Sequence, residues 1–356
     1  MVAIVDTKGR FSDRWIEYCK SRNIAYKIVN PYANNIIEEL SECTIFLWHW
    51  HHADYKDQLF ARQLLYALEQ KEISVFPDFK TMWHFDDKLG QKYLLESIDA
   101  PLVKSYIFYS KEEAVQWTTA TRFPVVFKLR GGAGSINVKL VHNKYQALGL
   151  IRKAFGKGFP LYNQTAIFND TVSQFKKAKT VKNILRMLKW GGYVLFPPKS
   201  YRLFPKQKGY VYFQEFIPNN TFDIRIIVID KKAFAIKRHT RKGDFRASGS
   251  GSISYAAKDI DIRCVQIGLE AAKKLHTQCV AYDFVFNEQN EPLIVEISYG
   301  FTMEAYDSCE GFWDRHLNWH PGRFNPQAWI IEALLKKNKP LNEPVSENRP
   351  SQTQDL

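Results

Sequence analysis

The sequence predicts a mixed α/β protein of more than one unit, and three observations carry this. Short apolar runs alternate with helical patterns over the first 80 residues. The last third is strand-rich around a single helical pattern. At 356 residues with 45% apolar content, the chain is long enough for two or three packed units.

In the first unit, Val2–Val5, Ile24–Val29 and Thr44–Trp48 read as strands, and Ser12–Arg22, Asn35–Leu40 and Asp57–Lys71 as helices. Strands separated by helices of this length predict a small parallel sheet wrapped by helices. Gly9 is the only glycine before Gly90, so this unit is Rossmann-like in layout but lacks a dinucleotide-binding loop.

From Phe85 the texture changes. Asp87–Leu95 reads as an amphipathic helix, Ser105–Phe108 as a strand, and Ser110-Lys111-Glu112-Glu113 as a capped helix start. Phe123–Lys128 is a buried-strand pattern ending in lysine, followed by Gly131, Gly132, Gly134 and Ser135. A fixed cation beside closely spaced backbone N–H groups suits phosphate oxygens, although a glycine-rich hairpin turn reads the same. The GxxxxGK[ST] spacing of a P-loop is absent. A helix is expected through Val181–Leu188, with Gly191-Gly192 as punctuation. Strands follow at Tyr210–Phe213, Asp223–Ile229 and Ala233–Arg238, then a helix at Ile260–His276 and a hairpin of Val280–Phe286 with Pro292–Ile297.

That hairpin contains the sharpest site. Pairing Asn287 with Pro292 across the loop Glu288–Glu291 sets Asp283 opposite Glu296, with Ser298 on the face of Glu296. Two facing carboxylates in apolar strands repel and are costly to bury. Either a hard cation, Mg2+ or Mn2+, joins them, or an arginine neutralises them, or one lies at a wet edge. Upstream, the Gln214-Glu215-Phe216-Ile217 run breaks a strand that resumes at Asp223-Ile224-Arg225, which can expose backbone groups to an adenine edge.

The order of these segments, from Asp87-Lys88 through Lys128, Gln214–Ile217, Asp223-Ile224-Arg225 and Gly243–Ser248 to Asp283 and Glu296, resembles the ATP-grasp superfamily. It is most similar to the branch of the ribosomal-protein glutamate ligases and to ATP-grasp proteins associated with surface polysaccharides. The resemblance covers roughly residues 80 to 300. It implies an N-terminal Rossmann-like domain (1–80), an ATP-grasp lobe and lid (81–209) with a basic insert at about 152–208, a C-terminal antiparallel lobe (210–335) and a flexible tail (336–356). It also implies that Lys88 and Lys128 bind ATP phosphates, with Gly131, Gly132, Gly134 and Ser135 as the phosphate loop. Gln214, Glu215, Phe216 and Ile217 would form the adenine hinge, and Asp223 would lie near the ribose. Arg246 would face the transferred phosphoryl group, with Arg225 beside it, while Asp283, Glu296 and Ser298 would hold magnesium. The family's metal motif usually reads Glu-x-Asn; here it is Glu296-Ile297-Ser298, and a hydroxyl is the weaker ligand. The activity implied is ATP-dependent ligation of a carboxylate to an amine through an acyl phosphate, on a small-molecule or glycan acceptor such as a uronic acid. The other reading is a nucleotide-binding module without turnover that engages a polyanion.

Composition narrows the partners. Of a net charge of +13, the stretch from Arg152 to Lys208 holds 13 basic residues against one acid, Asp170. Such a segment attracts anions of several kinds, and a lid over an anionic substrate explains it more simply than nucleic acid, since no nucleic-acid module is present. Five dispersed cysteines read as reduced thiols. No membrane-length apolar run and no signal-peptide pattern is seen, so a cytoplasmic protein is expected, a dimer being one option. Trp48-His49-Trp50-His51-His52 follows the third strand, where open parallel sheets bind ligands; substrate contact, packing and metal binding all remain open. The acidic and aromatic stretch from Glu304 to Trp329 is either an acceptor wall or a packed C-terminal helix.

Overall fold

The computed structural model describes residues 1–132, 137–177, 181–241, 243–247 and 251–338. The N-terminal unit runs β1 (Val2–Ile4), α1 (Phe11–Ser21), β2 (Tyr26–Ile28), α2 (Ile36–Glu39), β3 (Ile45–Leu47), α3 (Tyr55–Gln70), β4 (Ser74–Phe76) and α4 (Phe79–Met82). Its four strands are all parallel in the order β2-β1-β3-β4. Strands β1, β3 and β4 are buried throughout, as a sheet covered by helices on both faces requires.

The second unit comprises α5 (Lys88–Ser97), β5 (Ser105–Phe108), α6 (Lys111–Ala120), β6 (Val125–Lys128), β7 (Val138–Val141) and α7 (Lys144–Ala154). The helical insert α8 (Gln164–Lys177), α9 (Val181–Leu195) and α10 (Lys199–Leu203) comes next, and β8 (Val211–Glu215) completes the antiparallel sheet β5-β8-β6-β7. Side-chain caps start the helices: Ser110 accepts from the Glu113 N–H at α6, Asp87 from Gly90 at α5 and Asn143 from Gln146 at α7. Gly191-Gly192 does not punctuate α9, which runs on to Leu195. Gly191 instead lets the helix approach α8, since a Cβ there would stand 3.3 Å from the Phe168 ring.

The C-terminal unit consists of β9 (Phe222–Ile229), β10 (Lys232–His239), β11 (Ile253–Ser254), α11 (Ile262–Leu275), β12 (Cys279–Phe286), β13 (Pro292–Ser298), β14 (Gly311–Trp313), β15 (Trp319–Pro321) and α12 (Pro326–Lys337). Its seven-stranded sheet has the order β13-β12-β9-β10-β14-β15, with β11 also on β10. Asp230 and Lys231 join β9 to β10 with both φ angles positive, as the tight two-residue hairpin demands. Helix α12 continues through Lys337, past the start expected for the tail; residues 339–356 lie outside the described part.

One alternation organises this sheet. Ile224, Ile226 and Val228 of β9, with Val280, Tyr282 and Phe284 of β12, pack under α11. Ile227 and Ile229, with Phe234, Ile236, Cys279 and Ala281, join the core of the N-terminal unit. The two units thus share one apolar core, closed by α12 through Trp329, Ile330 and Ile331. All five cysteines are buried and unbonded. Among the described residues no helix is long and apolar enough to cross a membrane.

At Gly311 the β14–β15 contact is so close that a Cβ would stand 2.2 Å from the His320 carbonyl oxygen and 2.7 Å from the Trp319 ring. Gly311→Ala should therefore cost about 1–3 kcal/mol by forcing the strands apart. Thermal melting checks it, and an unchanged midpoint would show that the edge yields freely.

Candidate active site

A cavity of about 790 Å³ lies where the three units meet. Its floor is the charged continuation of an apolar sheet face. Beyond Ile227, Ala281 and Ile236, the same face carries Asp223 and Arg225 of β9, Asp283 of β12 and Arg238 of β10, because the N-terminal unit no longer covers it. Arg225 sits directly opposite Asp283, and Asp283 opposite Glu296.

The turn differs from the sequence reading by one residue, and a bulge corrects for it. Phe286, not Asn287, pairs with Pro292, and the register then slips by one at Val295. Ile294 and Ile297 can both face α11 only because of that extra residue, which also turns Glu296 into the cavity.

The facing carboxylates are each neutralised by protein cations, the arginine alternative raised by the sequence. Asp283 accepts from Arg225 Nε at 2.5 Å and Nη2 at 2.7 Å, and pairs with Arg238 Nη2 at 3.0 Å. Arg238 also grips Asp223 with two bonds of 2.7 Å. Burial opposes ionisation of Asp283, but the two guanidiniums outweigh it and hold the carboxyl well below the usual range. Asp223 is pushed up by burial, with Arg238 opposing.

Glu296 Oε1 lies 3.1 Å from Lys88 Nζ. Lys88 is buried and does not line the cavity. Its Nζ donates to the Gly132 carbonyl at 2.9 Å and its N–H to that of Arg130, so it pins the glycine loop from behind. At the N-terminus of α5, Lys88 is covered by the loop it holds. Burial works against its charge, but Glu296 and Asp86 outweigh it and raise the pKa. Asp86 accepts from Gly132 N–H at 2.8 Å, and burial, opposed by Lys88, pushes its carboxyl up to about 6. A Cβ on Gly131 would stand 2.9 Å from Asp86 Oδ2, so a larger residue there would push on that carboxylate. Gly131 itself does not line the cavity, whereas Gly132 does. Gly134 and Ser135 lie outside the described residues, as does Ser248.

Lys128, at the end of β6, lines the cavity and donates to Gln214 Oε1 at 2.6 Å. Gln214 is largely buried, lines the cavity and donates its amide N–H to Ser105 Oγ at 3.0 Å while accepting from Lys128. Burial pushes the Lys128 pKa down to about 8. Glu215, Phe216 and Ile217 line the cavity where β8 ends. Arg246 lines it too, and is held by Asp244 through Nη2 at 2.6 Å. Ser298 Oγ donates to the Gly300 carbonyl at 3.0 Å and accepts from its N–H at 3.2 Å, so it caps its own turn at the cavity edge.

The opposite wall comes from the N-terminal unit: Lys8, Gly9, Arg10, His49, His51 and His52. Trp48 and Trp50 alternate with these histidines into the core, and His49 stacks on Phe11 at 3.8 Å. Burial first, then neighbouring cations, lowers His51 to about 4 and His52 to about 3, so all three rings are neutral at pH 7. A second chamber of about 360 Å³ opens at the C-terminal end of the parallel sheet, sharing Arg10, His49 and His51 with the first. Among the described residues no three His, Cys, Asp or Glu side chains are grouped to hold a metal.

Sequence reasoning missed Arg238, Asp86 and Arg10. Arg238 was legible in principle: the two-residue β9–β10 turn sets it directly opposite Asp223. Arg10 and Asp86 carry no such signal, since loops and tertiary contacts bring them in. None of the acidic and aromatic stretch from Glu304 to Trp329 lines the cavity; only Gly300–Met303, just before it, do. Asp307 pairs with Arg14 at 2.6 Å, and Trp313 and Trp329 are core. None of the described residues of the basic insert lines the cavity.

The antiparallel sheets clasping a cavity, preceded by a parallel α/β unit, define the class: this is the ATP-grasp fold. Residues 203–311 match the model of the RimK-like ATP-grasp domain. The chain is similar to the biotin carboxylase domain of the Hydrogenobacter thermophilus 2-oxoglutarate carboxylase, solved with MgADP, ADP and bicarbonate (TM-score 0.58, 14% identity, covering 96% of this chain and 70% of that one). It is also similar to the D-cycloserine synthetase DcsG (0.57, 12%, 95% and 99%) and to a RimK-domain ATP-grasp protein of Sphaerobacter thermophilus (0.53, 14%, 94% and 98%). Among curated proteins none matches in sequence.

Proposed function

We propose that the chain is an ATP-dependent ligase that activates a carboxylate as an acyl phosphate and passes it to an amine. The observation that carries this reading is one cavity with two dissimilar walls. On one side stand Lys128, Arg246, Gly132 and the Glu215–Ile217 edge, suited to a nucleotide triphosphate; on the other stand Arg10, Lys8 and neutral histidines, suited to an anionic, hydroxylated acceptor. In the first step the carboxylate oxygen attacks the γ-phosphorus and the bond to ADP breaks. In the second the amine nitrogen attacks the acyl carbon, phosphate leaves and the nitrogen gives up a proton. Both steps build negative charge on phosphate oxygens, which Lys128 and Arg246 are placed to offset.

A hard divalent ion bound with the nucleotide would take Glu296 as its main protein ligand, since Arg225 and Arg238 already hold both oxygens of Asp283. Glu296 lines the cavity with one oxygen on Lys88, while Asp283 would share its oxygens with Arg225 and Arg238. Mg2+ held there, with Ser298 as the weakest ligand, would supply charge neutralisation on the phosphates. The acceptor class favoured is a sugar or uronic acid carboxylate, with Arg10 its counter-ion and His51 and His52 its hydroxyl partners, as surface-polysaccharide synthesis would need.

The test is ADP release with pooled uronic acids and pooled amines. Release that needs both pools supports the ligase. Magnesium-dependent ATP binding with no acceptor-dependent release would sink it in favour of a module that binds without turnover.

Lys128 offers a check that needs no turnover. Phosphate beside it favours the charged form, so ATP binding at pH 8 should take up about half a proton. Calorimetry in buffers of different ionisation enthalpy reads the uptake, and Lys128→Met should abolish it. In the free protein the unfolded chain binds more protons than the folded one between pH 8 and about 10, so this group makes stability rise with pH across that window. Uptake that persists in Lys128→Met would place the phosphates elsewhere.

A further inference from the structure

The helical insert is anchored on one side and left bare on the other. Its anchors are aromatic: Tyr162 stacks on Tyr201 at 4.4 Å, and Phe204 meets Tyr55 of α3 at 5.3 Å. Along α9, Val181, Ile184, Leu185, Leu188 and Leu195 recur at helical spacing and form one stripe. Their exposures are 73, 38, 63, 63 and 74%, and Phe196 just beyond the helix is 81% exposed. Exposed Lys189 stands beside this stripe, and exposed Lys199, Arg202 and Lys206 follow it with Leu203 among them.

We propose that α9 and the segment after it lie flat on an anionic lipid surface, the apolar stripe entering the acyl boundary and the cations meeting the headgroups. An exposed apolar stripe flanked by lysine and arginine is the pattern of an interfacial helix. Charge complementarity decides among occupants. A second copy would bring the same cationic insert against this one, since Arg152 to Lys208 holds a single acid. A nucleic acid would meet a centre of leucine and isoleucine with no stacking platform, because Trp190, Tyr193 and Tyr201 pack on one another. No helix among those described spans a bilayer, so contact would be at its surface. This surface excludes the cavity and stands whether or not the ligase reading does.

The experiment is vesicle flotation of the full chain, using phosphatidylcholine alone and phosphatidylcholine mixed with phosphatidylglycerol. The wild type should float with the mixed vesicles and far less with the neutral ones. The double variant Leu185→Asp/Leu188→Asp, and separately Lys189→Glu/Arg202→Glu, should each lose about ten-fold or more of that partition. Thermal melting of both variants should match the wild type, which separates lost binding from lost folding. Three results would overturn the proposal: no flotation with anionic vesicles at low salt, flotation undiminished in the leucine variant, or capture of RNA or an acidic polypeptide through the same leucines without vesicle binding.

Discussion

Asp283→Ala should be the most destabilising single change in the cavity floor, costing about 3–5 kcal/mol. The midpoint of thermal unfolding should fall by on the order of 10 °C. The reason is geometric. Asp283 is the shared anion of two guanidiniums, Arg225 and Arg238, whose side chains are 21% and 9% exposed. Removing it leaves Arg225 without its bidentate partner and Arg238 with Asp223 alone, in a sheet interior whose other face is packed under α11. Water in the cavity moderates the loss, so the lower end of the range is expected. The pH dependence carries the same signature. Asp283 is held below its ordinary value, so its contribution is present above about pH 4 and is lost as pH falls toward the folded-state value. The wild type should therefore lose stability on acidification below pH 4 more steeply than the variant. A melting curve within a degree of wild type would show that the arginines are not in need of Asp283.

The second large effect is catalytic. Glu296→Gln should lower turnover by about 10²–10³-fold while leaving the fold intact. Glutamine preserves the shape and one acceptor oxygen toward Lys88, which keeps its bond to the Gly132 carbonyl and its neighbour Asp86. What disappears is the negative charge turned into the cavity, and with it the best hard-oxygen ligand for a nucleotide-bound divalent ion. Nucleotide affinity should then lose most of its magnesium dependence in calorimetry. The two variants separate structure from chemistry: the first should melt early, the second should melt normally and fail to turn over. Wild-type magnesium dependence in Glu296→Gln would move the metal away from this hairpin.

The alternation of β9, β10, β12 and β13 is written in the sequence, and so is the order of Lys128, Gln214–Ile217, Asp223, Arg225, Asp283 and Glu296. Apolar period-two runs admit few other arrangements, and tight turns such as Asp230-Lys231 set their own register. Lys88 shows the limit of such reading. Its place at a helix start was visible, but the loop that covers it comes from a different strand pair, so its burial against the Gly132 carbonyl was not. Gly191-Gly192 shows another, because the contact with Phe168 outweighs the low helix propensity of glycine.

By itself the sequence determined a parallel α/β unit, an antiparallel sheet with acids among apolar residues, and a basic insert of 13 cations to one anion. The tertiary structure alone decided which charges meet. The slip at Val295 turns Glu296 into the cavity, because continuing the Phe286–Pro292 register would set Val295 opposite Asp283 and Glu296 toward α11. Periodicity cannot anticipate a single inserted residue, whereas packing can demand it: Ile294 and Ile297 must both be buried, and a carboxylate under α11 would have no cation to meet it.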